Sequence, residues 1–138
     1  MSWSFIGTSL SALPAFVAYF VTALVLVAAF LAIYTRLTPH HEWTLIRAGN
    51  VAASLSLGGA LLGFSLPLAS VIAHSSVLID VVIWGVVALL VQLLLWWVVD
   101  KAMADLTVRV EKGDVASGLF LATTSLAAGI INTACMTY

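Results

Sequence analysis

The sequence alternates between long uncharged apolar runs and short connections that hold its charged residues. Four of these runs are long enough for helices that cross the hydrocarbon core of a bilayer, which takes about 20 residues. Because a backbone amide cannot stay unpaired in lipid, each run is expected to be an α-helix. The pattern therefore predicts four membrane-spanning helices, over residues 13–34, 51–73, 77–99 and 115–133.

Composition favours a membrane protein over a soluble one. The chain has 138 residues, of which 63% are hydrophobic and 8% are charged, whereas soluble domains carry about 25% charged residues. Its net charge of -1 argues against a nucleic-acid partner. The single cysteine excludes an internal disulfide and a cysteine-based zinc site. We expect one all-α integral-membrane domain over residues 1–138, with no catalytic residues and no cofactor.

All five basic residues lie in the first and third connections between the predicted spans. Short loops rich in lysine and arginine stay cytoplasmic, so both connections should be cytoplasmic and both termini external, which in a Gram-negative cell is the periplasm. The first apolar run is too long for a cleaved signal peptide, and no positive residue precedes it.

Residues 49–57 and 113–121 are similar, with five identities in nine positions at an offset of 64. The same offset places the first span on the third. The sequence thus predicts two parallel two-helix repeats, over about residues 13–73 and 77–136, related by an axis along the membrane normal. Coincidental similarity of two apolar helices is the alternative. Asn50 and Asp114 are predicted N-caps of the second and fourth spans.

The second and fourth spans are rich in small residues, and the first and third in bulky ones. Since lipid tails are as apolar as leucine, helices associate in a membrane where backbones approach closely. We therefore expect the second and fourth spans at the centre and the other two facing lipid. The packing residues are expected to be Gly58, Gly59, Gly63, Ser125 and Gly129. The GxxxG pair Gly59 and Gly63 fits packing within the chain or a homodimer seam.

The first cytoplasmic connection is predicted to be a short interfacial helix, capped by Thr38 with Pro39 in its first turn. The second cytoplasmic connection, between the third and fourth spans, is expected to be a frayed continuation of the third span. Adjacent histidines point about 100° apart on a helix, which does not suit a metal. The distinctive residues of the first connection are better interpreted as a surface for a cytoplasmic partner. They are His40, His41, Glu42, Trp43 and Arg47.

Four polar residues inside or beside the predicted spans are candidates for a transport pathway. Asp80 is the only acid within a span, and His74 lies across the turn, where it could pair with it. The alternative is that Asp80 snorkels to water or caps its helix. Gln92 at mid-span and Asn132 near the end of the fourth span each need hydrogen-bond partners, which serine or threonine hydroxyls could supply to Gln92.

The first connection and the carboxyl-terminal tail, residues 132–138, resemble the YjfL-like bacterial inner-membrane family, a domain of unknown function. The similarity continues through residues 45–46, 49–50, 52–55, 62–64 and 66–68. The resemblance implies a four-span inner-membrane protein without agreed catalytic residues. It also implies an association with proteins resembling the phage-shock membrane-remodelling protein and with enzymes resembling glutathionylspermidine synthetase.

These observations lead to two functional hypotheses. The first is a non-enzymatic, oligomeric scaffold or adaptor linked to envelope stress, which presents its cytoplasmic connections to a peripheral phage-shock-like protein. The alternative is a small channel or transporter for protons, cations or polyamines. An intramembrane enzyme ranks third, because no convergent catalytic set can be assembled.

Overall fold

A computed structural model describes residues 2–39 and 41–136. His40 and the last two residues of the tail, on which expectations were placed, lie outside this part of the chain. Every regular element within it is a helix. The seven helices are α1 (Ser2–Ser11), α2 (Leu13–Leu37), α3 (Glu42–Arg47), α4 (Val51–His74), α5 (Leu78–Ala102), α6 (Leu106–Glu111) and α7 (Val115–Cys135).

The all-helical fold with four membrane spans is confirmed. The helices α4, α5 and α7 and the segment Trp3–Leu37 are each long and apolar enough to cross a bilayer. Helix α1, which the sequence pattern did not predict, extends the first span towards the amino terminus. At 1.5 Å per residue, this segment of 35 residues is about 52 Å long, well beyond the hydrocarbon thickness of about 30 Å. Ala12 separates α1 from α2, and Pro14 lies in the first turn of α2. Proline has no N–H, so it cannot donate a hydrogen bond to a carbonyl of α1.

The centre of the bundle is the parallel pair α4 and α7, as the small residues of these spans predict. Their backbones touch where glycines face each other, since a Cβ built on Gly63 or Gly129 would collide with the backbone of the other helix. Gly118 approaches Ala52 in the same way. Pro67 lies inside α4 and donates no hydrogen bond to the Gly63 carbonyl, which lies against Gly129. This seam lies within one chain.

The third span packs more deeply than expected. Helix α5 contacts both α4 and α7, and five of its residues are buried along one side, namely Val81, Gly85, Ala88, Gln92 and Val99. The expectation that this span only faces lipid was therefore wrong, because its small residues recur at helical spacing and form a packing stripe. Helix α2 is the peripheral one, with only Phe30 and Tyr34 buried among its described residues. The Phe30 ring stacks on Phe64 of α4, with centroids 4.5 Å apart.

Both short connections differ in detail from the expectation. Helix α3 begins at Glu42 with His41 at its N-cap, so Thr38 does not cap it and Pro39 is not in its first turn. Thr38 instead ends α2, where its N–H donates to Tyr34 O. The second connection is a separate helix and not a frayed end of α5, because Leu106 and Val110 are buried on its inner side.

The two halves share several features at the offset of 64. Helices α3 and α6 each have six residues, and each is followed by a glycine with positive φ, Gly49 at 85° and Gly113 at 82°. The two halves do not pack equivalently. The first helix of one half, α2, contacts α4 and α5, whereas the first helix of the other half, α5, contacts α4 and α7. The internal repeat stays a prediction.

Candidate functional site

The end of the bundle that carries α3 and α6 holds a buried polar cluster, which we call the α2–α3 junction and define as Tyr34, Thr38 and Glu42. The three residues are spaced by four, so they stay on one side as the chain passes from α2 to α3. The Glu42 side chain is only 1% exposed and that of Thr38 only 3%. Thr38 Oγ1 lies 2.9 Å from Tyr34 O and also contacts Glu42 Oε1.

Burial raises the pKa of Glu42 from 4.5 to about 7, although the hydrogen bond with Thr38 acts in the opposite direction. Thr38 Oγ1 is placed to donate its single proton to Tyr34 O or to Glu42 Oε1. Because the carboxyl group is buried, its charged form loses contact with water, and this is why its pKa is raised.

The predicted partner surface divides into an exposed part and a buried part. His41, Trp43 and Arg47 are exposed, with Trp43 at 51%. Glu42 was wrongly placed on this surface, because it turns inward to the junction. Leu45 and Ile46 also turn inward and are half-buried against the bundle. Helix α3 is therefore held by its inner side and presents the other side to solvent.

A recess of about 390 Å³ opens between the end of α2 and α3. We call it the α2–α3 recess. It lies beside the junction and shares Glu42 with it. Its lining residues are Ala32, Thr35, Arg36, His41, Glu42, Trp43 and Thr44. In the sequence Arg36 is only a topology signal, because its place beside α3 depends on how the chain folds back after α2.

Gln92 lies in the middle of the bundle, 1% exposed. Its Nε2 donates to Ser125 O over 3.1 Å, so its partner is a backbone carbonyl of α7 and not the side-chain hydroxyl that was expected. A Cβ on Gly63 would lie 2.5 Å from Gln92 Nε2, which shows how tightly the amide is held. Within the described residues, no hydrogen bond reaches Gln92 Oε1, Ser56 Oγ or Asn132 Nδ2.

Asp80 lies in the first turn of α5 and is half-buried. The Ser75 hydroxyl lies 3.1 Å from its Oδ2, a contact that the sequence reasoning did not consider. A carboxylate in the first turn is also favoured by the helix dipole. His74 is the last residue of α4, and its Nδ1 lies 2.8 Å from Ser70 O. These contacts give each of the two side chains a polar partner at the edge of the bundle.

The predicted caps lie at the starts of the two central helices. Asn50 Oδ1 accepts from the Ala53 N–H over 3.0 Å, and its Nδ2 donates to Val110 O over 2.9 Å. Asp114 Oδ1 accepts from the Ala116 N–H. The hydroxyl of Ser117 donates to the same carboxylate and lowers the pKa of Asp114. Asn50 therefore also ties α4 to α6.

Four of the five predicted packing residues lie in the α4–α7 seam. Gly59 and Gly63 both contact α7 of their own chain, so in this fold the GxxxG pair is an intramolecular contact. Gly58 was wrongly placed in the seam. It is one residue, about 100°, away from Gly59 on the helix, and a Cβ there would meet nothing within 4 Å. Ser125 and Gly129 lie in the seam, where both are buried.

No group of three or more histidine, cysteine, aspartate or glutamate residues that could hold a metal occurs in residues 2–39 and 41–136. Cys135, at the end of α7, is exposed. The arrangement offers a polar recess at one end and isolated amide groups in the interior.

Comparison with known proteins gives one family and several relatives. The family model described as Domain of Unknown Function (DUF350) matches residues 8–136. The UPF0719 inner membrane protein YjfL of Escherichia coli (strain K12) is 43% identical over 129 residues, which cover 94% of this chain and 98% of that protein. The UPF0719 transmembrane protein YshE of Bacillus subtilis (strain 168) is 25% identical over 83 residues, covering 60% of this chain and 62% of that protein. No solved structure shows significant similarity.

Proposed function

The chain belongs to the DUF350 family and is a small multi-pass protein of the inner membrane; from this premise we propose that it is a non-enzymatic scaffold that presents α3 to a peripheral protein. The observation that carries the proposal is the two-sided packing of α3. Its inner side is fixed by Glu42, Leu45 and Ile46, while Trp43 and Arg47 on the other side remain exposed. A short helix held in this way offers an ordered surface that needs no folding on binding.

The packing of the centre supports a scaffold more than a conduit. The α4–α7 seam is closed by backbone contacts at Gly63, Gly118 and Gly129, so side chains have no room there to line a path. Between α5 and α7, the Gln92 amide donates to Ser125 O and lies close to Gly63. A closely packed bundle is suited to holding the short helices α3 and α6 in place.

The partner that we propose is a peripheral protein of the phage-shock type on the cytoplasmic side, in a response to envelope stress. The support is the charge distribution. All five basic residues lie in or beside the connections that form α3 and α6, and such connections stay cytoplasmic. Both termini would then be periplasmic.

A pull-down from detergent-solubilised membranes tests this proposal. The full chain carries Trp43→Ala with His41→Ala, and a co-expressed phage-shock-like protein is the prey. Trp97→Ala is the matched control, because Trp97 is 53% exposed against 51% for Trp43 and lies on α5. We expect recovery of the prey to fall only with the α3 variant. Equal recovery from both variants would contradict the proposed partner surface.

We further propose that the scaffold is a homo-oligomer that associates through the outer half of α2. The support is the exposure of this segment, where the rings of Phe16 and Phe20 stack with centroids 5.6 Å apart while both stay more than half exposed. Cysteine cross-linking in native membranes tests it, with Phe20→Cys in a Cys135→Ser background. Ala23→Cys, on the side that faces the bundle, is the control. A cross-linked dimer specific to position 20 supports the proposal, and its absence refutes it.

A channel or transporter for protons, cations or polyamines is the second candidate. The observation that favours it is the set of buried polar atoms in the bundle, Gln92 Oε1, Ser56 Oγ and Asn132 Nδ2, that no described residue satisfies. Flux of protons or polyamines into liposomes that contain the full chain tests it. Flux that falls with Gln92→Leu or Asp80→Asn supports transport. No flux from the unmodified protein rules this candidate out.

A further inference from the structure

The α2–α3 recess is large enough for part of a small ligand. Its volume of about 390 Å³ lies within the range of about 300 to 1,000 Å³ that is typical of ligand pockets. It lies at the carboxyl-terminal end of α2, with Ala32 and Thr35 on the α2 side and Trp43 on the α3 side. Tryptophan is enriched at the membrane–water interface, so the recess is expected at the level of lipid headgroups.

The polar groups at the rim of this recess are free to bind a ligand. Arg36, His41 and Thr44 are exposed, and none of them makes a side-chain hydrogen bond within residues 2–39 and 41–136. Together they offer the five N–H groups of a guanidinium, a ring nitrogen and a hydroxyl. Arginine is suited to phosphate because its planar fork can donate two parallel hydrogen bonds to two oxygens.

The charge balance of the recess favours an anion. Arg36 carries a permanent positive charge at the rim. Glu42 is the only acidic residue among those that line the recess, and its carboxyl group is 1% exposed and already in contact with Thr38. The ligand therefore meets the guanidinium, while the carboxyl group is withdrawn into the α2–α3 junction.

We propose that the α2–α3 recess binds the phosphate group of an anionic phospholipid, with Arg36 as its main partner and His41 and Thr44 as further donors. The indole of Trp43 lies beside the glycerol and the first carbons of the acyl chains. A lipid fits better than free phosphate, because Ala32 and Trp43 give the recess an apolar side that a free anion would not use. The site shares His41 and Trp43 with the proposed protein-binding surface, but lipid binding to the purified chain can be measured without that protein.

Native mass spectrometry of the full chain in a mild detergent tests the proposal. Phosphatidylglycerol and phosphatidylcholine are titrated separately, and the bound fraction is measured for the unmodified protein and for Arg36→Gln. The loss of one arginine at a membrane surface is expected to weaken phosphatidylglycerol binding about fivefold. Thr44→Val removes one hydrogen-bond donor at an exposed position and should weaken it about threefold. Lys101→Gln is the matched control, because Lys101 is exposed at the same end of the bundle but does not line the recess.

The outcomes separate the proposal from its alternatives. A preference for phosphatidylglycerol that falls with Arg36→Gln and Thr44→Val, but not with Lys101→Gln, supports it. Equal binding of the two lipids overturns it, and so does an equal loss with Arg36→Gln and Lys101→Gln, which would indicate diffuse attraction. Displacement of the lipid by millimolar inorganic phosphate would assign the recess to a free anion and overturn the lipid source. None of these results depends on the pull-down with a protein partner.

Discussion

Replacing Gly63 by alanine gives the sharpest test of the central α4–α7 seam. The added methyl group would collide with the backbone carbonyl of Ser125 and lie 2.5 Å from Gln92 Nε2. The clash is with the backbone of another helix, so no rotation of a flexible side chain can relieve it. The helices must move apart, and the contact between Gly63 and Gly129 is then lost as well.

The magnitude follows from comparing Gly63→Ala with Gly58→Ala. Alanine is better than glycine within a helix by about 0.5–1 kcal/mol, and this gain applies equally at both positions. At Gly58 a methyl group meets nothing within 4 Å, so only the gain remains. At Gly63 overpacking adds a penalty of about 1–3 kcal/mol. The difference in unfolding free energy between the two variants should therefore be about 1–3 kcal/mol.

Unfolding in mixed micelles, followed by loss of the helical circular dichroism signal, measures this difference. Gly58→Ala should unfold at the same or a higher fraction of denaturing detergent than the unmodified protein, and Gly63→Ala at a lower one. Gly129→Ala should resemble Gly63→Ala, and the two effects should not add, because both disturb one contact. If Gly58→Ala and Gly63→Ala unfold at the same fraction of denaturing detergent, the backbone contact between α4 and α7 does not exist as described.

Three further predictions concern the caps, the junction and the topology. Asn50→Ala removes the α4 cap and the hydrogen bond to Val110 O and should lower the free energy of unfolding by about 1–2 kcal/mol. A decrease of only a few tenths of a kcal/mol in the same assay would contradict this prediction. Because burial raises the pKa of Glu42 from 4.5 to about 7, the folded protein holds a proton that the unfolded chain has lost within this window. Stability should therefore fall as pH rises from 4.5 to 7, and Glu42→Gln should reduce this slope; an unchanged slope would refute the assignment. For topology, an impermeant maleimide added to intact cells should label Ser76→Cys but not Ala48→Cys, both in a Cys135→Ser background, and the reverse pattern would contradict the proposed orientation.

The span positions and the class of protein follow from the sequence alone. Hydropathy and the need to pair backbone groups act locally, so residues 51–73 predict α4 within one residue of its end. Helix-capping chemistry is also local, since Asn50 and Asp114 each bond to an amide two or three residues ahead. The small residues of the second and fourth spans also identified the central pair correctly. Helix α1 could not be predicted from the apolar pattern, because its serines, threonine and glycine interrupt that pattern. In the structure the helical segment nonetheless extends from α2 back through α1.

The tertiary structure alone decided how each helix is rotated about its axis, and the candidate site depends on that rotation. Gly58 and Gly59 are equally small, but only one of them faces α7, because a step of one residue turns the side chain by about 100°. The same step buries Glu42 and exposes Trp43, so a carboxyl group that looked like part of a surface became part of the α2–α3 junction. The partner of Gln92 is a backbone carbonyl of α7, which has no signature in the side-chain sequence. Such contacts depend on distances between residues far apart in the chain, and these distances are set only when the helices pack.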